Sequence, residues 1–98
     1  MNTDKDKKSF MFNGEILNAV ITKYEDNTDA IVIETTDGIP YGTASVNLRE
    51  KIPSGFVAIK DYAENIGMLE ALIYAKIVGQ PEFYVPTGYV EVPVCKIL

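Results

Sequence analysis

From Glu15 to Tyr24, the residues Leu17, Ala19 and Ile21 alternate with Asn18, Val20, Thr22 and Tyr24, the two-residue period of a β-strand. The cluster Glu25-Asp26-Asn27-Thr28 is turn chemistry, and the β-branched run Ala30–Thr36 after it reads as the return strand of a hairpin. Asp37-Gly38 is a strong tight-turn signal. Beyond it, Tyr41, Thr43, Ser45 and Asn47 alternate with Ala44, Val46 and Leu48, which predicts a third antiparallel strand. Charged residues and Pro53-Ser54-Gly55 mark a surface connection to the short apolar run Phe56–Ile59, expected to be a central strand.

The period then changes. Ile66, Leu69, Ile73 and Ile77 fall at helical spacing, widened by Met68, Leu72 and Ala75, so one amphipathic helix is predicted from about Asn65 to Lys76, with Gly79 as its stop. Asp61 and Glu64 are spaced like a capping box, Asn65 is a second candidate N-cap, and the pattern does not choose between them. Gln80–Gly88 holds Pro81, Pro86 and a Pro-Thr-Gly signal beside Phe83, Tyr84 and Val85, and reads as a loop pinned by aromatic packing. In the closing segment Tyr89–Cys95, Val90, Val92 and Val94 share a face while Pro93 lacks a donor, so an edge or bulged strand is expected. The expected class is α+β in the order β-β-β-β-α-β: a mostly antiparallel sheet of about five strands with one helix on one face.

Ninety-eight residues suit one domain, and 47% hydrophobic with 23% charged residues is enough apolar material for a core. Residues 1–9 read as a disordered polar tail and residues 10–98 as the single domain. The formal charge is −5; the first nine residues carry three lysines against two aspartates, so the remainder holds six basic and twelve acidic residues, net −6. That balance argues against direct nucleic-acid binding, which draws on clustered Lys and Arg, and is compatible with a protein partner that has a basic surface. No run is long and apolar enough to span a membrane, the N-terminus lacks a secretory leader's apolar stretch, and a cytoplasmic location is the default reading.

The single Cys95 excludes an internal disulfide, and the absence of histidine removes the usual zinc spacings and the Ser-His and Cys-His nucleophile systems. No cofactor or metal is expected, and no residue is assigned a catalytic role. The densest polar group is Lys60-Asp61-Tyr62-Ala63-Glu64-Asn65, where strand hands over to helix. Read functionally it is a recognition surface, and Asp61 with Glu64 is the one obvious carboxylate pair for acid–base work; read structurally these are residues that start a helix. The acidic turn Glu25–Asp29 has oxygen ligands but lacks EF-hand periodicity, so it reads as a turn. Cys95 beside Lys96 is either an activated thiol or a small buried residue. Tyr84 and Tyr89, with Phe83, are either an interface patch or loop packing.

The segment Ala58-Ile-Lys-Asp-Tyr-Ala-Glu-Asn-Ile-Gly-Met-Leu-Glu-Ala-Leu72 and the ending Pro86-Thr-Gly-Tyr-Val-Glu-Val-Pro-Val-Cys95 resemble the DUF4313 type, a family of small proteins of unknown function. The family phrasing has serine where Ala63 stands, so no hydroxyl role carries over. The resemblance implies an accessory protein of a bacterial mobile element or phage, in transfer, maintenance or countering host defence, and supplies no catalytic residues. The leading expectation is a non-catalytic protein-binding domain using Lys60, Asp61, Tyr62, Glu64 and Asn65, with Tyr84 and Tyr89. The alternatives are a carboxylate-based or metal-dependent small hydrolase on Asp61 and Glu64, and a structural subunit that forms a homodimer through the edge of its last strand.

Overall fold

The computed structural model describes residues 7–48 and 52–98. Strand β1 (Lys7–Phe12) turns through Asn13-Gly14 into β2 (Glu15–Lys23), followed by β3 (Asp29–Thr35) and β4 (Pro40–Thr43). These pair antiparallel in the order β1-β2-β3-β4. After β5 (Phe56–Ala58) come a 3-10 turn (Ala63–Asn65), helix α1 (Met68–Tyr74), β6 (Val78–Pro86) and β7 (Glu91–Ile97). The last three strands form a second antiparallel sheet, ordered β5-β7-β6. The α+β class stands, with two sheets in place of one of about five strands. Among the described residues no helix is long and apolar enough to cross a membrane.

Alternation sets which face of the first sheet turns inward. Phe10 and Phe12, Leu17 and Ala19, and Ile31 and Ile33 are buried together with Met68 and Leu72 of α1 and Val57, Val78 and Cys95 of the second sheet. A smaller cluster of Ala58, Val85, Val92 and Val94 lies apart from this core, with Val46, Leu48, Ile52, Phe56, Tyr62 and Val90 packed on it. Residues 92–95 are all buried because β7 is flanked by two strands and contributes to both clusters. Helix α1 packs against β1 and β6, one edge strand from each sheet.

Among the described residues, the sheets meet at one backbone crossing. Ser45 bridges Ile59, with the Val46 N–H donating to the Ala58 carbonyl at 3.0 Å and the Lys60 N–H to the Ala44 carbonyl at 2.8 Å. The Ser45 hydroxyl lies 3.0 Å from the Ile31 N–H that donates to it and 2.7 Å from the Tyr24 hydroxyl. A small polar side chain buried at the crossing thus satisfies a backbone donor that bulk would displace.

Several expectations are corrected. The polar tail does not extend to Ser9: Lys7–Ser9 begin β1, and only residues 1–6 of it lie outside the described residues, as do 49–51 of the surface connection. Asn13 (φ 53°) and Gly14 (φ 76°) both take the left-handed conformation of a two-residue hairpin turn, and that Asn-Gly pair is the signal for β1 the pattern reading passed over. The third strand stops at Thr43, and its continuation serves only as the crossing at Ser45. Phe56–Ala58 is an edge strand and the last strand is central, the reverse of the expectation. Pro93 is accommodated there because β5 ends opposite it: the Pro93 carbonyl accepts from the Ile59 N–H at 2.9 Å, and the ladder breaks where proline cannot return the bond.

Gln80–Pro86 is strand, not loop. Register shifts between Val78, Pro81 and Phe83 erase its alternation, and an edge strand tolerates both prolines. The helix is shorter than predicted. Gly67 at φ 96° breaks the segment before Met68, leaving Ile66 71% exposed, and Lys76 at φ 62° turns the chain away after Ala75. Gly79 is not the stop; it lies within β6.

Candidate functional site

The junction residues divide by role. The Asp61 Oδ1 atom accepts from the Gly67 N–H at 3.1 Å and the Leu69 N–H at 2.9 Å, satisfying donors at the start of α1 from six and eight residues upstream. Asn65 is buried, and its Nδ2 donates to the Thr43 carbonyl at 2.8 Å, fastening the 3-10 turn to the end of β4. Neither of the proposed helix starts is used: the helix begins three residues past Asn65, with Asp61 capping across the intervening turn.

Lys60 and Glu64 form an ion pair at 2.6 Å, and the Lys60 ammonium sits 5.7 Å from the centre of the Tyr62 ring. The hydrogen bond between them raises the Lys60 pKa and lowers that of Glu64. Tyr62 is half-buried against the smaller cluster. The junction is therefore largely engaged in its own structure: one carboxylate caps, one amide ties, and the remaining charges neutralise each other.

Tyr84 and Tyr89 lie apart. Tyr89 is 98% exposed at the tip of the β6–β7 hairpin, beside Gly88 (φ 100°), where the Thr87 hydroxyl donates to the Val90 carbonyl at 2.9 Å. A shallow recess of about 250 Å³ formed by Pro86, Gly88, Tyr89, Val90 and Glu91 lies there. Tyr84, 54% exposed, instead walls a groove of about 560 Å³ between α1 and β6. Leu69, Glu70, Ile73 and Tyr74 from the helix face Gln80, Pro81 and Tyr84 from the strand. Glu70, Ile73 and Tyr74 share one helix face because residues three and four apart are neighbours there. Tyr74 is 91% exposed. The sequence reading missed Glu70 and Tyr74 because a helix pattern read for its core face says nothing of which outward residues line a groove with a strand that the prolines had concealed.

Comparison with family models, with curated proteins and with solved structures returned no significant match. The site is therefore read from its own geometry.

Its other candidates are accounted for locally. In the acidic turn, Asp26 Oδ1 accepts from the Thr28 N–H at 3.0 Å, and hydrogen bonding with Thr28 lowers its pKa. Burial works to raise the Asp29 pKa, but the Lys23 ammonium at 2.8 Å and the Gly55 N–H at 2.8 Å outweigh it and hold the group below the usual range. Among the described residues no group of three or more Cys, Asp and Glu side chains is placed to share a cation. Cys95 is fully buried, and burial first, then Glu82, push its thiol up to about 11, opposite to activation by Lys96.

Proposed function

We propose that this chain is a non-catalytic protein-binding domain that meets its partner with the α1–β6 face. The observation that carries the reading is the groove itself: an open, mostly apolar trough walled by two exposed tyrosines beside an edge strand. Tyrosine supplies broad amphipathic contact area with little conformational entropy to lose, and exposed edge strands offer unpaired backbone groups to an incoming segment. The acidic balance supports a protein partner over a phosphate backbone. The resemblance to the DUF4313 type alone carries the biological setting, an accessory protein of a bacterial mobile element or phage acting within its host, including against host defence.

Capture from bacterial lysate tests the reading. The wild-type chain is compared with Tyr74→Ala/Tyr84→Ala and with Lys60→Ala/Glu64→Ala, all verified as folded by circular dichroism. A partner lost by the tyrosine pair and kept by the junction pair is the expected outcome. Loss confined to the junction pair would move the binding surface to Lys60–Asn65 and overturn the assignment to α1–β6.

A further inference from the structure

The groove has a chemical polarity beyond being apolar. Among the described residues, its lining contains one formal charge, the Glu70 carboxylate, and no basic residue. The three ion pairs among the described residues are Lys7–Glu34, Lys23–Asp29 and Lys60–Glu64, so Glu70 has no cation within ion-pair distance there. One helical turn on from Glu70 stands Tyr74, and across the trough stands Tyr84, so a carboxylate and two aromatic rings line the same volume of about 560 Å³.

That combination is complementary to a cation with an apolar stem. The face of an aromatic ring carries negative potential and attracts a cation laid over it, and a carboxylate completes the site with a charge-assisted hydrogen bond. Arginine fits it better than lysine, because its planar guanidinium stacks on a ring while forking onto a carboxylate. Its methylene stem can lie along Leu69, Ile73 and Pro81, which supply the apolar wall.

We infer that the α1–β6 groove is an arginine-recognition site for an extended segment of a protein partner, with Glu70 setting the preference for positive charge and Tyr74 and Tyr84 holding the guanidinium stem and plane. The inference rests on the protein-binding reading given above and names the chemistry of that partner. Charge complementarity selects this occupant over a second copy of the chain, whose net charge of −5 would bring predominantly like charge to Glu70.

The test is an amide NMR titration of the full ¹⁵N-labelled chain with three probe peptides: acetyl-Leu-Arg-Leu-amide, the same peptide with neutral citrulline replacing arginine, and the same with glutamate. The arginine peptide should shift the amides of Leu69, Glu70, Ile73, Tyr74 and Tyr84. Citrulline should bind about tenfold more weakly, the size of one charge-assisted hydrogen bond, and glutamate more weakly still. Glu70→Gln should erase the difference between arginine and citrulline while leaving the fold and the weak citrulline shifts intact. Equal shifts by all three peptides would overturn the arginine preference and leave the groove as a protein-binding face. Absence of groove shifts with every peptide at millimolar concentration would overturn the arginine inference, while the protein-binding reading would stand or fall on the capture experiment. Shifts of the same amides on concentrating the chain without peptide would assign the groove to a second copy and overturn the inference in that way.

Discussion

Asp29 shows how one residue's surroundings become a property of the whole chain. Its side chain is only 11% exposed, and such burial alone would favour the neutral acid. Lys23 and the Gly55 N–H reverse that, so its pKa is lower in the folded chain than in the unfolded one. A carboxyl with a depressed folded-state pKa contributes its full stabilisation above the unfolded value, about 3.9, and loses it as pH falls through the folded-state value. Urea unfolding of wild type and Asp29→Asn from pH 7 to pH 2 should therefore give a gap favouring wild type near neutrality that closes on the acid side of about pH 4. A gap that stayed constant over the whole range would contradict the assignment. At this scale the sequence was informative about type and silent about use: the acidic turn was legible as a turn, but the Asp29 carboxylate is tied to Lys23 across the hairpin and to Gly55, 26 residues further along the chain, and neither tie is visible in the turn's own residues.

At the scale of elements, α1 is the clearest case of a short helix made possible by its neighbours. Seven residues are too few to be stable alone in water. The helix is held by the burial of Met68 and Leu72 and by the Asp61 carboxylate on its first free N–H groups. Asp61→Ala should lower stability by about 2 kcal/mol, the range of a lost cap that accepts through a charged group. The measurement is the urea midpoint with an unchanged m-value, and a midpoint equal to wild type would refute the capping role. The apolar spacing announced a helix here, yet its ends could not be read: Gly67 and Lys76 take left-handed backbone conformations that act as breaks only in this tertiary setting. Cys95 makes the same point for β7. Its inert, buried thiol follows from the strand's central position, which the presence of Pro93 concealed.

At the scale of the molecule, the two sheets are joined among the described residues by the backbone crossing at Ser45 and Ile59, by the Asp29–Gly55 hydrogen bond and by the core shared around α1. Ser45→Ala removes the acceptor of the buried Ile31 N–H and the partner of the Tyr24 hydroxyl, and should cost about 1–3 kcal/mol. Hydrogen exchange should report that loss at the Val46 and Lys60 amides, the two donors of the crossing. Unchanged protection at both would show that the crossing holds without the Ser45 hydroxyl and would refute its supporting role.

Alternating patterns determined that β2, β3 and part of β4 are strands, and helical spacing determined that one amphipathic helix follows Phe56–Ala58, because both signals arise between near neighbours in the chain. Composition determined the acidic balance, and the missing histidines and lone cysteine removed whole classes of chemistry. The tertiary structure alone decided that the strands divide into two sheets, that β7 rather than β5 is central, and that β6 is a strand at all, since its bulges and prolines hide it from any periodic reading. It alone also decided which residues share a groove. Asp61 and Asn65 read in the sequence either as recognition residues or as helix-starting residues, and the fold shows the hydrogen bonds each makes to backbone, whereas Glu70, Tyr74 and Tyr84 share a groove only because α1 packs against an edge strand, and that proximity is not written in any local run of sequence.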